Sequence, residues 1–435
     1  MTNSINIREL ALEALLEIIK ENKLSHLVLS GVLEKYQYLD KQERAFFTRL
    51  CEGTLERMIE LDYIINQFSN TPVKKMKPQI AIILRMSVYQ LKYMDSVPES
   101  AACNEAVKLA QKKGFKTLKP FVNGVIRNIA RNISAIPYPD MEKEPLKYVS
   151  VFYSMPEWIV ELWIKSYGMD ETKSILEAFL EQKEITIRTN QTKISPEKLK
   201  EKLQKEDITV KENELLPYAF SISGVDYFHN LKSFQEGLFY IQDTSSMMVA
   251  ETADPKKDDY IIDVCAAPGG KSIHLAEKMA GSGMVEARDL SEYKVNLIQE
   301  NIKRSGTLNI KAVCQDATVI KKESINKADI VIADLPCSGL GVLGKKTDIR
   351  YHMTKESTLE LAALQRQILS VVNLYVKEHG VLLYSTCTID KEENEYNTKW
   401  FLENHPAFTL EYEKQFLPDQ DKTDGFYLAK FRKAE

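Results

Sequence analysis

A glycine-rich segment in the second half of the chain is the first candidate for ligand binding. The sequence DVCAAPGGKS, residues 263–272, leaves a predicted strand and enters a predicted helix. A triphosphate-binding loop needs glycine five residues before the Gly-Lys-Ser, and Cys265 occupies that place. The dinucleotide pattern G-x-G-x-x-G is also missing. The adjacent Gly269 and Gly270 instead let backbone approach a ligand at the positive end of a helix.

An acidic residue ends the next predicted strand. Asp289 lies 19 residues after Gly270, and a carboxylate at this place can accept hydrogen bonds from both hydroxyls of a ribose. The loop and the acid together predict a nucleoside cofactor without a pyrophosphate. A tight turn followed by an acid that caps the next helix explains these residues equally well when they stand alone.

Two cysteines follow two further predicted strands. Cys337 lies in DLPCSG, residues 334–339, and Cys387 lies in STCT, residues 385–388. Because the carboxyl ends of parallel strands meet at one edge of a sheet, both thiols are expected to open onto the same crevice. A thiolate there can serve as a covalent nucleophile. The alternative is that both are small buried hydrophobic residues, which is common for cysteine.

Short apolar strands alternate with helices from Leu238 onward. This alternation predicts a Rossmann-like α/β domain with a mostly parallel sheet and helices on both faces. The predicted strands cover residues 260–265, 284–289, 309–314, 329–333 and 380–385, and the predicted helices cover residues 271–280, 291–305 and 358–377.

The rest of the chain predicts two other domains. Apolar residues recur every three or four positions over residues 1–135, which predicts an all-α domain. Pro137, Pro139 and Pro145 then predict an extended linker. Residues 147–237 mix a helix at 157–167, a strand at 184–190 and a helix at 196–206, typical of a small α+β domain. The third domain is expected at 238–435.

The composition excludes several classes of protein. In 435 residues there is no apolar run of the length that a membrane helix needs, and the first residues lack the pattern of a signal peptide. The six cysteines are scattered without a C-x-x-C pair. We therefore expect no metal site, no disulfide framework, no membrane and a reducing cytoplasm.

The charge is unevenly distributed along the chain. The net charge of −4 argues mildly against a nucleic-acid partner. Between Pro72 and Ala135, however, only three acids oppose twelve basic residues: Lys74, Lys75, Lys77, Arg85, Lys92, Lys108, Lys112, Lys113, Lys116, Lys119, Arg127 and Arg131. We interpret this cluster as a phosphate-binding face. The alternative is a set of solvated helix faces.

The motifs resemble those of a known enzyme family. Residues 263–272 are similar to the first motif of the NOL1/NOP2/Sun family of RNA cytosine-5 methyltransferases, and both cysteine motifs resemble motifs of that family. Ser272 stands where threonine is more usual. The stretch from Met86 to Arg131 resembles a NusB-type helical RNA-binding domain. GKKTDIR, residues 344–350, is a looser match to an arginine-rich family segment, with Thr347 in place of proline.

The resemblance implies S-adenosylmethionine as cofactor and a role for each site residue. Cys387 would attack carbon 6 of the cytosine and Cys337 would assist release, whereas in DNA cytosine methyltransferases the Pro-Cys thiol attacks. Lys271 and Asp334 would orient and polarise the base, and the proton acceptor stays unassigned. Asp289 would hold the ribose, Asp316 would lie by the adenine, and Asp334 would also face the cofactor's amino group. The methionine end would be wrapped by Cys265, Ala266, Ala267, Pro268, Gly269, Gly270 and Lys271.

The domain order also resembles that of the bacterial members that act on small-subunit ribosomal RNA. It implies methylation of cytosine 967 of the 16S ribosomal RNA, by a monomer that does not act on DNA. A different RNA target, such as transfer RNA, stays open. So does a catalytically silent RNA-binding or antitermination factor, although two intact cysteine motifs argue against it. A nucleotide hydrolase is disfavoured by Cys265.

Overall fold

The computed structural model describes residues 6–181, 184–225 and 227–434. It divides into two compact units. The helical unit comprises the described residues up to Leu180 together with Lys345–His352, and the strand-rich unit comprises Glu181–Gly344 and the described residues from Met353 onward.

The helical unit contains ten helices before Leu180 and one short helix from the later segment. Leu15, Leu50, Ile83 and Ile126 come from four different helices and are fully buried in one apolar core. The helices are α1 (Ile7–Lys20), α2 (Ser25–Lys35), α3 (Lys41–Glu56), α4 (Met58–Phe68), α5 (Pro78–Tyr93), α6 (Glu99–Lys112), α7 (Lys119–Arg131), α8 (Pro145–Phe152), α9 (Glu157–Tyr167) and α10 (Met169–Leu180), and, in chain order, α16 (Ile349–His352).

The proline-containing stretch does not coincide with the division between the units, which falls after Leu180. The chain past the prolines is held by polar contacts within the helical unit. Tyr63 donates to the carbonyl of Pro137 at 2.9 Å, and the backbone N–H of Ile59 donates to Ser154 Oγ at 3.0 Å. Helices α8 to α10 therefore lie in the helical unit of the structure, and the domain bounds expected from the sequence stay a prediction.

The segment Lys345–His352 belongs to the helical unit although it lies far along the chain. The buried carboxylate of Asp348 accepts from Ser25 through its backbone N–H and its hydroxyl, at 2.8 and 2.6 Å. The buried Arg350 guanidinium donates to the Ser154 carbonyl at 3.0 Å. This segment overlaps the one whose match to the family motif is loose, and Asp348 and Arg350 in it have structural partners.

The strand-rich unit begins with a small antiparallel sheet. Its strand order is β2-β3-β1-β4, and Leu199 and Leu203 of helix α11 are buried in the same core as Ile187 and Phe220. The elements are β1 (Ile185–Thr189), α11 (Pro196–Lys205), β2 (Thr209–Glu212), β3 (Ala219–Ser223), α12 (Lys232–Gln235) and β4 (Phe239–Ile241).

The larger sheet has seven strands in the order β10-β11-β9-β8-β5-β6-β7. The five strands from β9 to β7 are parallel to one another, and β11 pairs antiparallel with both β9 and β10. The elements are α13 (Thr244–Ala253), β5 (Tyr260–Asp263), α14 (Gly270–Lys278), β6 (Met284–Asp289), α15 (Glu292–Ser305), β7 (Ile310–Cys314), β8 (Ala328–Asp334), α17 (Lys355–Val372), β9 (Val376–Thr386), α18 (Glu395–Asn404), β10 (Phe408–Phe416) and β11 (Phe426–Lys433).

This topology confirms the predicted fold class and shows where the ligand-binding crevice of the sheet lies. The strand order reverses direction between β5 and β8, which are neighbours in the sheet but distant in sequence. Ligands of such sheets bind beyond the carboxyl ends of the strands at this switch point. Among the described residues, no helix has both the length and the apolar character that crossing a bilayer requires.

Candidate functional site

The glycine-rich loop follows β5 and is tied to the end of β6. The N–H of Ala266 donates to the Arg288 carbonyl at 2.8 Å, and the N–H of Ala267 donates to Asp289 Oδ2 at 3.0 Å. Gly269 precedes α14 with φ of 105°, a left-handed conformation that favours glycine. The loop thus exposes backbone at the start of α14 in one fixed conformation.

A buried carboxylate lies beneath this loop. Asp263 ends β5 and is fully buried, and its Oδ2 accepts the Ser272 hydroxyl at 2.5 Å. Its Oδ1 is buried without a hydrogen-bond partner in the structure. Burial raises the pKa of Asp263 to about 7.

Asp289 and Asp316 lie at the ends of neighbouring strands. Asp289 is buried, and its Oδ1 accepts from the Leu290 N–H at 2.8 Å and forms an ion pair with Lys294 at 3.1 Å. Asp316 accepts from the N–H and the hydroxyl of Thr318 at 2.8 and 2.7 Å, and these bonds lower its pKa. The structure brings both predicted acids to the same edge of the sheet.

Lys271 and Asp334 form an ion pair across the switch point. Lys271 Nζ lies 2.7 Å from Asp334 Oδ2, and the hydroxyl of Ser385 donates to Asp334 Oδ1 at 2.7 Å. Burial opposes the charge of Lys271, but attraction to Asp334, with smaller contributions from Asp263 and Cys387, raises its pKa. Lys271 also lies over the Phe426 ring, 5.5 Å from its centre. A cation is therefore held where it interacts electrostatically with the Cys387 thiol.

The two predicted thiols are in contact. Cys337 Sγ lies 3.1 Å from Cys387 Sγ and accepts from the Cys387 N–H at 3.2 Å. The hydroxyls of Ser338 and Thr388 are hydrogen-bonded at 2.9 Å, which joins the two loops. The contact with Cys387 and then burial, followed by repulsion from Glu393, raise the pKa of Cys337 well above its ordinary value. The Cys337 thiol therefore loses its proton less readily than an ordinary exposed cysteine does.

Gly341 and Gly425 let the two cysteine loops pack against the start of β11. A Cβ on Gly341 would lie 1.9 Å from the Gly425 carbonyl oxygen and 2.9 Å from the Cys387 carbonyl oxygen. The N–H of Gly341 donates to that Cys387 carbonyl at 3.0 Å. Only glycine allows this approach, which fixes the Pro-Cys loop relative to Cys387.

Cys265 has a different environment from the other two site cysteines. Its side chain packs against an apolar core cluster, and burial raises the pKa of its thiol. Cys265 is therefore part of the loop through its backbone, and its thiol is not activated.

Three further residues belong to this site and were not predicted from the sequence. Ser385 orients Asp334, Phe426 lies under Lys271, and Glu393 accepts from the Ser338 N–H at 2.9 Å. Ser385 had a signal, because side chains two positions apart on a strand share a face and it precedes Cys387 by two. Phe426 and Glu393 are brought in from other elements, so no local spacing indicates them.

Three family models match the chain in succession. The NusB family matches residues 5–131, a ferredoxin-like domain of RsmF/B-like methyltransferases matches residues 155–225, and the 16S rRNA methyltransferase RsmB/F model matches residues 250–432. The last match contains both cysteines and the whole of the glycine-rich loop.

Individual proteins agree with these matches, two of them over nearly the whole chain. A probable ribosomal RNA small subunit methyltransferase B from Bacillus subtilis (strain 168) is 37% identical, covering 98% of this chain and 99% of its own. The structure of PH0851 has a TM-score of 0.84 at 26% identity and covers 99% of both chains. NSun6 from Pyrococcus horikoshii, solved with SFG, has a TM-score of 0.59 at 26% identity, covering 64% of this chain and 98% of its own.

The reversed parallel sheet, the loop before α14 and the acids at the strand ends define an S-adenosylmethionine-dependent methyltransferase domain. The chain belongs to the RsmB/F family of ribosomal RNA methyltransferases, in the arrangement with an N-terminal NusB domain and a ferredoxin-like middle domain. It is accordingly an RNA methyltransferase, as the sequence analysis predicted.

Proposed function

We propose that the protein methylates carbon 5 of a cytosine in small-subunit ribosomal RNA through a covalent bond to Cys387. The observation that carries the proposal is the contact between Cys387 and Cys337 at 3.1 Å, beside the Lys271–Asp334 pair. A relative named for the small ribosomal subunit that matches nearly the whole chain supports the choice of RNA. Cytosine 967 of the 16S ribosomal RNA is the proposed position.

The chemistry requires a nucleophile because carbon 5 of cytosine does not attack a methyl sulfonium unaided. The Cys387 thiolate adds to carbon 6, and the electron pair of the 5,6 double bond moves toward carbon 5. When bound, S-adenosylmethionine would supply the methyl group to carbon 5, with its methyl–sulfur bond breaking to leave S-adenosylhomocysteine. A base then takes the proton from carbon 5, the C–H electron pair re-forms the 5,6 double bond, and the bond from carbon 6 to Cys387 breaks to return the thiolate.

The surrounding residues suit these steps. The Lys271 cation stabilises the Cys387 thiolate, and the Asp334 carboxylate, fixed by Ser385, is placed to accept from the amino group of the base. We assign Cys337 to release of the enzyme from the methylated RNA. For the cofactor, we propose that the backbone of residues 265–271 holds the methionine end, Asp289 the ribose and Asp316 the adenine, while Asp334 also meets the cofactor's amino group.

A denaturing gel with labelled RNA and cofactor tests the roles of the two thiols. Cys387→Ala should abolish methyl transfer and form no protein–RNA adduct, because carbon 5 is never activated. Cys337→Ala should transfer the methyl group and then accumulate an adduct that survives denaturation. A defect in the release step accumulates the covalent intermediate formed before it. The double variant should form none. Adduct in Cys387→Ala alone would exchange the two roles, and full activity in Cys387→Ala would refute the mechanism.

The RNA target needs a separate experiment. Mass-spectrometric mapping of 5-methylcytosine in ribosomal RNA from a deletion strain should show loss at position 967, restored by the intact gene but not by Cys387→Ala. Loss in transfer RNA alone would support the alternative target. We further propose that the enzyme acts in the cytoplasm as a monomer and not on DNA.

A further inference from the structure

A buried carboxylate that the proposed chemistry does not use lies behind the Pro-Cys loop. Glu393 follows β9, and its side chain is completely buried. Its Oε2 accepts from the Ser338 N–H at 2.9 Å and from Gln365 Nε2 at 2.8 Å. Ser338 is the residue next to Cys337, so this carboxylate holds the backbone on one side of Cys337.

The other side of Cys337 is held through Gln365, which is fully buried on α17. The same Gln365 Nε2 donates to the carbonyl of Pro336 at 2.9 Å. Its Oε1 accepts from Tyr384 and Asn397 at 2.9 and 2.8 Å, which fixes the orientation of the amide. Glu393 and Gln365 therefore hold the backbone on both sides of Cys337, through the Ser338 N–H and the Pro336 carbonyl. We call these two residues the bracket.

The arrangement costs stability, which argues for a purpose. Glu393 Oε1 is buried and has no hydrogen-bond partner in the structure. A buried carboxylate with one oxygen unsatisfied is unfavourable compared with an apolar side chain of the same volume. A residue needed only to fill this space would not have to be an acid.

The two cysteines depend on this bracket to different degrees. Cys387 directly follows β9, where Ser385 and Thr386 pair with Leu428 and Tyr427 of β11. Cys337 lies in an irregular loop that is not paired with a neighbouring strand. Loss of the bracket should displace Cys337 more than Cys387.

We propose that Glu393 is a positioning residue for the release step, holding the Pro-Cys loop through Ser338 and Gln365 so that the Cys337 thiol stays against Cys387. The inference rests on the proposed function, because it requires Cys337 to act after methyl transfer. Glu393 acts through the loop and not on the base. Its loss should therefore slow release and leave attack and methyl transfer in place.

The adduct gel measures this separation directly. Glu393→Ala, and independently Gln365→Met, should accumulate adduct like Cys337→Ala, at least about tenfold above wild type, the factor expected from losing one hydrogen bond to a charged group. Glu393→Gln keeps an acceptor for the Ser338 N–H and should release RNA normally. Glu392→Ala, at the half-buried neighbouring acid, is the matched control and should accumulate none.

The outcomes distinguish this inference from the proposal on which it rests. Absence of adduct in Cys337→Ala would refute the proposed roles of the thiols and this inference with them. Adduct in Cys337→Ala but in neither bracket variant would overturn the inference alone. Equal adduct in Glu392→Ala would also overturn it, because the effect would not depend on the bracket. If Glu393→Ala does not fold, Gln365→Met decides.

Discussion

Asp289 makes different contacts through its two carboxylate oxygens, in addition to its proposed contact with the cofactor ribose. It fixes the glycine-rich loop through the Ala267 N–H at 3.0 Å, and its other oxygen carries the Leu290 and Lys294 contacts. Asp289→Asn keeps one acceptor oxygen and removes the charge. We expect binding of S-adenosylhomocysteine, measured by calorimetry, to weaken at least about tenfold, as loss of a charge-assisted bond predicts.

Two controls accompany this prediction: the thermal unfolding of the cofactor-free protein and the binding of other nucleotides. Thermal unfolding without cofactor should show a loss of about 1–3 kcal/mol in Asp289→Asn, because its one amide oxygen can accept from the Ala267 N–H or the Leu290 N–H but not from both. ATP and NAD should not bind the wild type. ATP binding as tight as that of S-adenosylhomocysteine would contradict the assignment of the loop.

Glu393 should also make the stability of the protein depend on pH. Burial raises its pKa to about 7, so the folded state holds this proton more tightly than the unfolded state does. The stabilising contribution is complete below the unfolded pKa, near 4.5, and is lost as the pH rises through about 7. Glu393→Gln does not titrate and should become more stable relative to wild type between pH 5 and 8, by on the order of 3 kcal/mol.

Urea unfolding of the two proteins at several pH values measures this difference. Asp263, whose pKa is also raised to about 7, titrates in both proteins and cancels in the comparison. A difference between wild type and Glu393→Gln that stays constant with pH would show that Glu393 does not titrate in this range.

At the scale of elements, the close approach of Gly341 to the start of β11 makes the Pro-Cys loop sensitive to one methyl group. Gly341→Ala would place a Cβ 1.9 Å from the Gly425 carbonyl oxygen, which is backbone and cannot move aside. We expect about 1–3 kcal/mol of destabilisation, measured by urea unfolding, together with loss of turnover. Gly124→Ala on α7, where a Cβ meets nothing within 4 Å, should be neutral or stabilising.

Sequence periodicity predicted the parallel strands well and failed where pairing overrides local pattern. The strand Met284–Asp289 has the predicted bounds. The last parallel strand was predicted at 380–385 and the helix before it as far as Lys377, but the helix ends at Val372 and β9 starts at Val376. The sequence VKEHG resembles a helix end, yet His379 takes φ of 61° and β9 still pairs with β8 through a register shift. Only the neighbouring strand specifies such an irregularity.

The candidate site was predictable where the strand ends alone determine it. Cys337, Cys387 and Asp334 each follow a strand, so the rule for parallel sheets was enough to bring them together. Glu393 and Gln365 lie on a loop and a helix that reach the Pro-Cys loop from the side. Their contacts depend on packing, and no periodicity in the sequence carries that information.

At the scale of the whole molecule, the structure divides the twelve basic residues of the predicted phosphate-binding face into two groups. Five form ion pairs, namely Arg85, Lys92, Lys108, Lys112 and Lys113. The other seven have no carboxylate partner among the described residues: Lys74, Lys75, Lys77, Lys116, Lys119, Arg127 and Arg131. The paired residues contribute little net charge, so the second group is the better candidate for phosphate contacts.

Lys74, Lys75 and Lys77 are exposed within four residues of one another and provide the sharpest test. Replacing all three by glutamine in the full-length protein should weaken RNA binding and lower the slope of log affinity against log salt by about 2–3, because each lost phosphate contact removes nearly one released counterion. A matched variant with glutamine at Lys205, Lys257 and Lys327, exposed lysines of the strand-rich unit that form no ion pair among the described residues, changes the net charge equally. If both variants lower the slope to the same extent, only total charge matters and the helical unit has no specific phosphate-binding face. A reduced slope in the first variant alone assigns the face to these lysines.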